Sequence, residues 1–174
     1  MMYDDIHDID WPRWTAEWRA TLLFVVRDGH ILLIEKKRGF GKGKVNGPGG
    51  RIEPGETPLQ AAIREVQEEV CVTPTGITSH GELHFQFQNG FSIHGFVFRA
   101  EDVDGTVAET DEARPFWQPV DEIPYDRMWE DDRHWLPLLL DRRRFAGRFL
   151  FDEDRMMDYT VDVHPDPAPA PQTS

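Results

Sequence analysis

Residues 38–50 carry six glycines and one proline, whereas residues 59–70, a short link later, carry neither. The first segment cannot propagate a helix or hold a central strand, because glycine favours disorder and proline lacks an N–H. The second repeats Leu59, Ala62, Ile63, Val66 and Val70 at helical spacing, with Thr57 placed as N-cap and Pro58 in the first turn. A pliant loop leading into one amphipathic helix is therefore the arrangement around which the rest must fold. On that helix Glu65, Glu68 and Glu69 fall at i, i+3 and i+4, so three carboxylates share a face. That face lies roughly 120° from the apolar stripe, at ~100° per residue, so the helix can bury one side and display acids beside it.

Acids near the end of a helix oppose its macrodipole, and like charges four residues apart repel. A solvated acidic face is the ordinary meaning of such a cluster. The local counter-charge is Arg64, and a hard divalent cation with oxygen ligands would be the natural complement, particularly with substrate phosphates completing its shell.

Around this helix the pattern is one of strands. Residues 20–26 and 31–36 flank an Asp28-Gly29 turn, and residues 77–87 and 91–99 flank Asn89-Gly90, which reads as two hairpins. Residues 114–118 form a short strand, residues 132–142 a second helix, and residues 145–151 with 156–163 a last hairpin. Strands around one strong helix, with another late in the chain, predict an α/β class. Trp11, Trp14 and Trp18 fall at i, i+3 and i+7, which predicts an apolar stripe in an N-terminal leader over residues 1–19. Residues 20–163 would form the domain, and the Pro- and Ala-rich residues 164–174 a disordered tail.

Composition closes off several classes. The chain has 174 residues, 19 Lys plus Arg against 32 Asp plus Glu, and a net charge of −13. Such a charge disfavours a nucleic-acid polymer as partner, since duplex binding needs cationic surface. No apolar run approaches the ~20 residues of a spanning helix, so no membrane partner is expected. The acidic opening MMYDDIHDID is unlike a signal peptide, and the single Cys71 fits a reducing compartment, so a cytoplasmic protein is expected. Oligomeric state stays open between monomer and homodimer.

Gly50, five residues, Glu56, seven residues, then Arg64-Glu65-Val66-Gln67-Glu68-Glu69 resembles the signature of the Nudix hydrolases. Cys71 stands where the family usually has glycine, which would strain the helix exit if the backbone there is left-handed. The resemblance implies an α/β/α sandwich with a mixed central sheet and β-hairpins, and a Mg²⁺-dependent hydrolase (Mn²⁺ as substitute) of nucleoside diphosphate derivatives. It implies Glu65, Glu68 and Glu69 as metal ligands, one of Glu68 or Glu69 as base, and Glu56 and Arg64 as supports behind them.

The flanks extend the resemblance. KKRGFGKGKVNGPGG before the signature, and DEARPFW, IPYDRMWEDDRHWLPLLLDRRRF and MMDYT after it, resemble the MutT-like branch that sanitises the nucleotide pool by hydrolysing oxidised purine triphosphates such as 8-oxo-dGTP. By position this implies Asn46, Asp131 and Asp132 as readers of the base, Trp129 as its stacking partner, and Phe40, Phe85 and Phe87 as aromatic walls. Thr21 and Lys36 would lie near sugar and phosphates, and Glu112 and the Gly49 carbonyl would add metal contacts. Val45 replaces a tryptophan of that branch, and residues 91–98 match it only loosely.

The chemistry agrees with these placements. Oxidation at C8 turns the N7 acceptor of guanine into a donor, and Asp132 and Asn46 supply acceptors for an edge rich in N–H groups. Adjacent carboxylates push their proton affinities apart, so one can keep a proton and donate, which would admit oxidised adenine as well. The simpler alternatives are that Asp131-Asp132 cap the second helix and that Trp129 is core. For the whole chain, the alternatives are a Nudix hydrolase of a dinucleoside polyphosphate, nucleotide sugar or ordinary NTP, and an inactive nucleotide-binding module.

Overall fold

The computed structural model describes residues 2–171. Nine strands and two helices follow one another as β1 (Trp18–Arg27), β2 (His30–Lys36), β3 (Val45–Asn46), β4 (Gly49–Arg51), α1 (Pro58–Val70), β5 (Thr73–Phe87), β6 (Ser92–Asp104), β7 (Ala113–Pro119), α2 (Asp132–Leu140), β8 (Arg143–Asp152) and β9 (Arg155–Pro167). The strands order as β3-β2-β1-β6-β5-β8-β9, with β4 added to β1 and β7 to β2. β1 runs parallel to β6 and β5 parallel to β8, while the remaining pairs are antiparallel, so the sheet is mixed.

Alternation along β1 splits the core into two layers. Leu23 and Val25 join Ala62, Val66 and Val70 of α1 on one face. Phe24 points to the other face, with Trp135, Leu136 and Leu139 of α2. The expected α/β/α sandwich follows from this period of two set between two apolar helix stripes. Thr57 caps α1 reciprocally with Gln60, at 3.1 and 3.0 Å, and Pro58 occupies the first turn as predicted.

The first hairpin departs from expectation. β1 and β2 share only the pairs Val26–Ile31 and Arg27–His30, then separate. β4 takes the vacated edge, pairing Leu22 with Gly49 and Thr21 with Gly50. The approach depends on glycine: a Cβ on Gly49 would lie 1.9 Å from the Thr21 carbonyl oxygen.

Both ends of the chain also differ from the sequence reading. The leader forms two 3₁₀ turns, Ile6–Asp8 and Trp11–Arg13, rather than one striped helix. Trp11 and Trp14 pack over His84, and the Trp14 indole donates to Gln86 at 2.9 Å, whereas Trp18 belongs to β1. Pro12 and the onset of sheet pairing at Trp18 break the helical register. The expected tail is also corrected, because β9 continues to Pro167 opposite Arg143 and Ala168 donates to the Arg142 carbonyl. Two prolines are tolerated there because β9 is an edge strand, where a missing N–H removes no partner. The last three residues of that segment, 172–174, lie outside the described residues.

Cys71 ends α1 with φ 68° and ψ 23°, in the left-handed region, and its side chain is exposed rather than packed. Glycine adopts this conformation without the Cβ clash. Cys71→Gly is expected to raise stability by about 1 kcal/mol in urea titrations, and an unchanged midpoint would show the position to be unstrained.

Candidate active site

The Gly-rich loop and α1 meet where Gly50 passes the helix. A Cβ on Gly50 would fall 2.5 Å from the Glu65 carboxyl carbon, so the backbone itself forms the cradle for that carboxylate. Glu65, Glu69 and Glu112 bring oxygens within 4.8 Å of one another. Glu69 is pushed up to about 9, first by burial and then by the hydrogen bond and charge of Glu65. Lys36 and a backbone hydrogen bond from Gly49 oppose that rise. Like charges packed this closely suit a hard cation with oxygen ligands.

Arg64 organises the acids behind this group. Its guanidinium makes two bonds to Glu56, at 2.7 and 2.9 Å, and reaches Glu65 at 2.9 Å, Glu68 at 3.2 Å and the Arg51 carbonyl at 3.1 Å. The paired hydrogen bonds hold Glu56 down at about 2, with a further bond from the Glu53 N–H. Glu68 differs from its two neighbours: its side chain is 51% exposed, and Arg64 holds it outside the Glu65–Glu69–Glu112 group.

One cavity of about 360 Å³ runs from these carboxylates to an aromatic end. Thr21, Lys36, Gly49, Glu65, Glu69 and Glu112 line the first part, and Phe40, Asn46, Phe85, Phe87, Trp129, Asp131 and Asp132 line the second. Thr21 is 2% exposed, and its hydroxyl has no partner among the described residues. Asn46 turns its Oδ1 to accept from the Gly47 N–H at 2.8 Å. Phe40, 41% exposed, stacks on Trp129 with centroids 5.2 Å apart and planes at 11°. Phe87 and Phe151 meet the Trp129 ring edge-on.

Asp131 and Asp132 are each 2% exposed. Asp131 stands at the start of α2 but makes no capping bond; its Oδ2 accepts from the Trp135 indole at 2.7 Å. Simple capping therefore does not explain the pair. Burial pushes Asp131 up to about 6, against the hydrogen bonds from Trp135 and Asp132. Burial and then the Asp131 charge raise Asp132 well above the usual carboxylate range. Both carboxyls therefore hold a proton more readily than an ordinary aspartate does, and Asp132 Oδ2 has no partner among the described residues.

Sequence reasoning missed several lining residues, notably Trp18, Arg51, Ile93 and Phe151. Trp18 faces the cavity with Arg51 stacked over its ring at 4.3 Å and Phe91 edge-on at 4.8 Å. Its alternation with Ala20, Leu22 and Phe24 was the available signal, obscured by the helical spacing to Trp11 and Trp14.

Two measurements check this geometry. Asp131 and Asp132 both hold protons in the folded chain that the unfolded chain releases near pH 4, so their contribution is complete below that pH and is lost as pH rises, for Asp131 through about 6. A double Asp131→Asn/Asp132→Asn variant should gain on the parent by at least about 2 kcal/mol, the share of Asp131 alone, between pH 4 and 7 in denaturant titrations, and parallel curves would refute the assignment. Trp18→Ala should raise KM about tenfold with little change in kcat, as removal of a binding wall predicts.

Comparison with known proteins bears on the family and the fold. The NUDIX domain matches residues 17–139. The chain is 43% identical over 146 residues to the oxidized purine nucleoside triphosphate hydrolase of Danio rerio, covering 82% of this chain and 92% of the relative. It is 39% identical to the Mus musculus protein of the same name, over 81% and 92%. The crystal structure of a MutT protein from Bacillus halodurans superposes with a TM-score of 0.76 at 27% identity, covering 86% of this chain and 99% of the other. By its signature, its sandwich and these likenesses, the chain belongs to the Nudix hydrolase family.

Proposed function

We propose that the protein hydrolyses oxidised purine nucleoside triphosphates to the monophosphate and pyrophosphate with Mg²⁺. The observation that carries this reading is a single cavity joining a three-carboxylate group to an aromatic end with two adjacent buried aspartates. The named activity of the Danio rerio and Mus musculus relatives supports it.

The donor set fits the metal: close carboxylates, one with strongly raised proton affinity, are relieved by a divalent cation. Glu65, Glu69 and Glu112 would hold it, with the Gly49 backbone alongside. Bound there, the ion supplies charge neutralisation for the phosphates and a lower pKa for water. Arg64 orients Glu65 through their 2.9 Å bond and fixes Glu56 in place. Lys36 adds positive charge on the cavity wall. Water adds across the bond between the α- and β-phosphates, one proton leaving to a carboxylate. Glu69 is better placed than Glu68 to receive it, since Glu68 is turned outward onto Arg64. At the other end Trp129, with Phe40 stacked on it, forms the aromatic wall for the base, and the Asp131–Asp132 pair and Asn46 offer acceptors to the N–H-rich edge of oxidised guanine. The retained acids argue against an inactive module.

Pyrophosphate release with Mg²⁺ from 8-oxo-dGTP, 2-oxo-dATP, dGTP, diadenosine tetraphosphate and ADP-ribose tests the reading. The oxidised triphosphates should react fastest; equal rates on dGTP and 8-oxo-dGTP would overturn the sanitation role. Glu69→Gln should fold normally and lose more than about 100-fold in kcat, beyond the 10- to 100-fold loss expected for Glu56→Gln behind the ligands. Asp132→Asn should alter the substrate ranking.

A further inference from the structure

The leader ahead of β1 has no role in the arrangement above, yet it grips the strand that supplies two walls of the cavity. Residues 2–16 precede the NUDIX match, which begins at residue 17. They are firmly attached: Ile6 and Ile9 are buried with Leu150 of β8, the Ile6 N–H donates to Asp158 at 3.1 Å, and the Trp11 indole donates to the Ile6 carbonyl at 2.9 Å. Trp14 stacks on His84 with centroids 4.8 Å apart.

Along β5 the period of two sends Phe85 and Phe87 into the cavity and turns Gln86 to the opposite face, against the leader. Gln86 is 5% exposed. Its Oε1 accepts from the Trp14 indole at 2.9 Å, and its Nε2 donates to the carbonyls of Phe87 at 2.9 Å and Phe91 at 3.2 Å. A side-chain amide turns about its last bond unless both ends are held; the indole fixes the oxygen and so aims the NH2 at the two carbonyls. One side chain thus joins the leader to both sides of the β5–β6 turn. Neighbouring ties run the same way. Gln88 accepts from the Met2 and Tyr3 N–H groups, each at 3.0 Å, and donates to the Tyr3 carbonyl at 2.6 Å, while Ser92 accepts from the Glu17 N–H at 2.9 Å. Between these ties, Phe91 lies edge-on to Trp18 at 4.8 Å and 5.8 Å from Phe40. Phe87 lies 5.8 Å from Phe40 and 6.3 Å from Trp129.

We infer that Gln86 is a positioning residue for base binding and that Trp14 of the leader aims it: together they hold the β5–β6 tip so that Phe87 and Phe91 keep their rings at the aromatic end of the cavity. Neither Gln86 nor Trp14 lines the cavity itself. The inference rests on the reading that the purine occupies that end. Loss of the indole N–H releases the amide and the tip frays. The wall must then be ordered when the base binds, a cost that falls on affinity and not on the phosphate chemistry.

The test is steady-state kinetics on 8-oxo-dGTP in the full chain and in Trp14→Phe, Gln86→Met and Trp11→Phe. Trp14→Phe keeps a ring over His84 and removes only the donor. It should raise KM about fivefold, with kcat within about twofold and an unchanged Mg²⁺ requirement. Gln86→Met should do the same, and the double variant no more than either, because the two act along one path. Trp11→Phe removes an indole donor whose bond stays within the leader, and should keep the parent KM. A parent KM in Trp14→Phe, additive effects in the double variant, an equal rise in Trp11→Phe, or a loss confined to kcat would each overturn the inference. Should Gln86→Met fail to fold, Trp14→Phe against Trp11→Phe decides alone. A parent chain that hydrolyses dGTP as fast as 8-oxo-dGTP would overturn the base reading and this inference with it. A parent that prefers 8-oxo-dGTP, with Trp14→Phe and Gln86→Met at its KM, excludes the positioning role alone.

Discussion

A single guanidinium makes the acidic end of this molecule possible. Arg64 contacts Glu56, Glu65, Glu68 and the Arg51 carbonyl, so one side chain ties α1 to β4 and to the link before the helix. Without it, several carboxylates on or beside one helix turn would spread into solvent. With it, Glu56 stays an anion and Glu65 is fixed beside Glu69, which makes no ion pair among the described residues. The network concentrates negative charge at one point and neutralises it everywhere else, which is what a cation site requires.

The same carboxyl chemistry appears in three states in one cavity and just behind it. Glu56 is held at about 2 by Arg64, Asp131 rises to about 6, and Glu69 reaches about 9. Burial and neighbours, not residue type, decide which acid is charged. Burial holds the two aspartates of the aromatic end toward their protonated forms, whereas the helix end would exchange its proton for a metal. Two separate discriminations, one for polyphosphate and one for base, can thus be built from Asp and Glu alone.

Local features were readable from the chain and long-range ones less so. The Thr57 cap, the α1 stripe and the Gly50–Glu65 spacing are contained in one short segment, and the structure realises them directly. The family resemblance supplied Glu112, which no spacing links to α1, and the structure brings its oxygen to Glu65 and Glu69. The β1–β2 hairpin was overread because turn chemistry fixes only its tip, while the close approach of Gly49 to Thr21 decides the remaining pairing. Trp18 escaped notice for the same reason: its significance depends on what lies across the cavity, not on neighbours in sequence. The proline-rich segment misled through composition, since strand formation there relies on Arg142 and Arg143 as distant partners.

The position of β9 at the margin of the sheet has a consequence for how copies of this chain meet in a crowded solution. An exposed strand is a template on which a second chain can grow, and thirteen residues make a long one. This one ends in Pro165 and Pro167, which have no amide hydrogen to offer, and carries Asp158, Asp162 and Asp166 along its length. An incoming strand would meet missing donors and repeated negative charge, so the margin resists amyloid-like extension although it remains open to water.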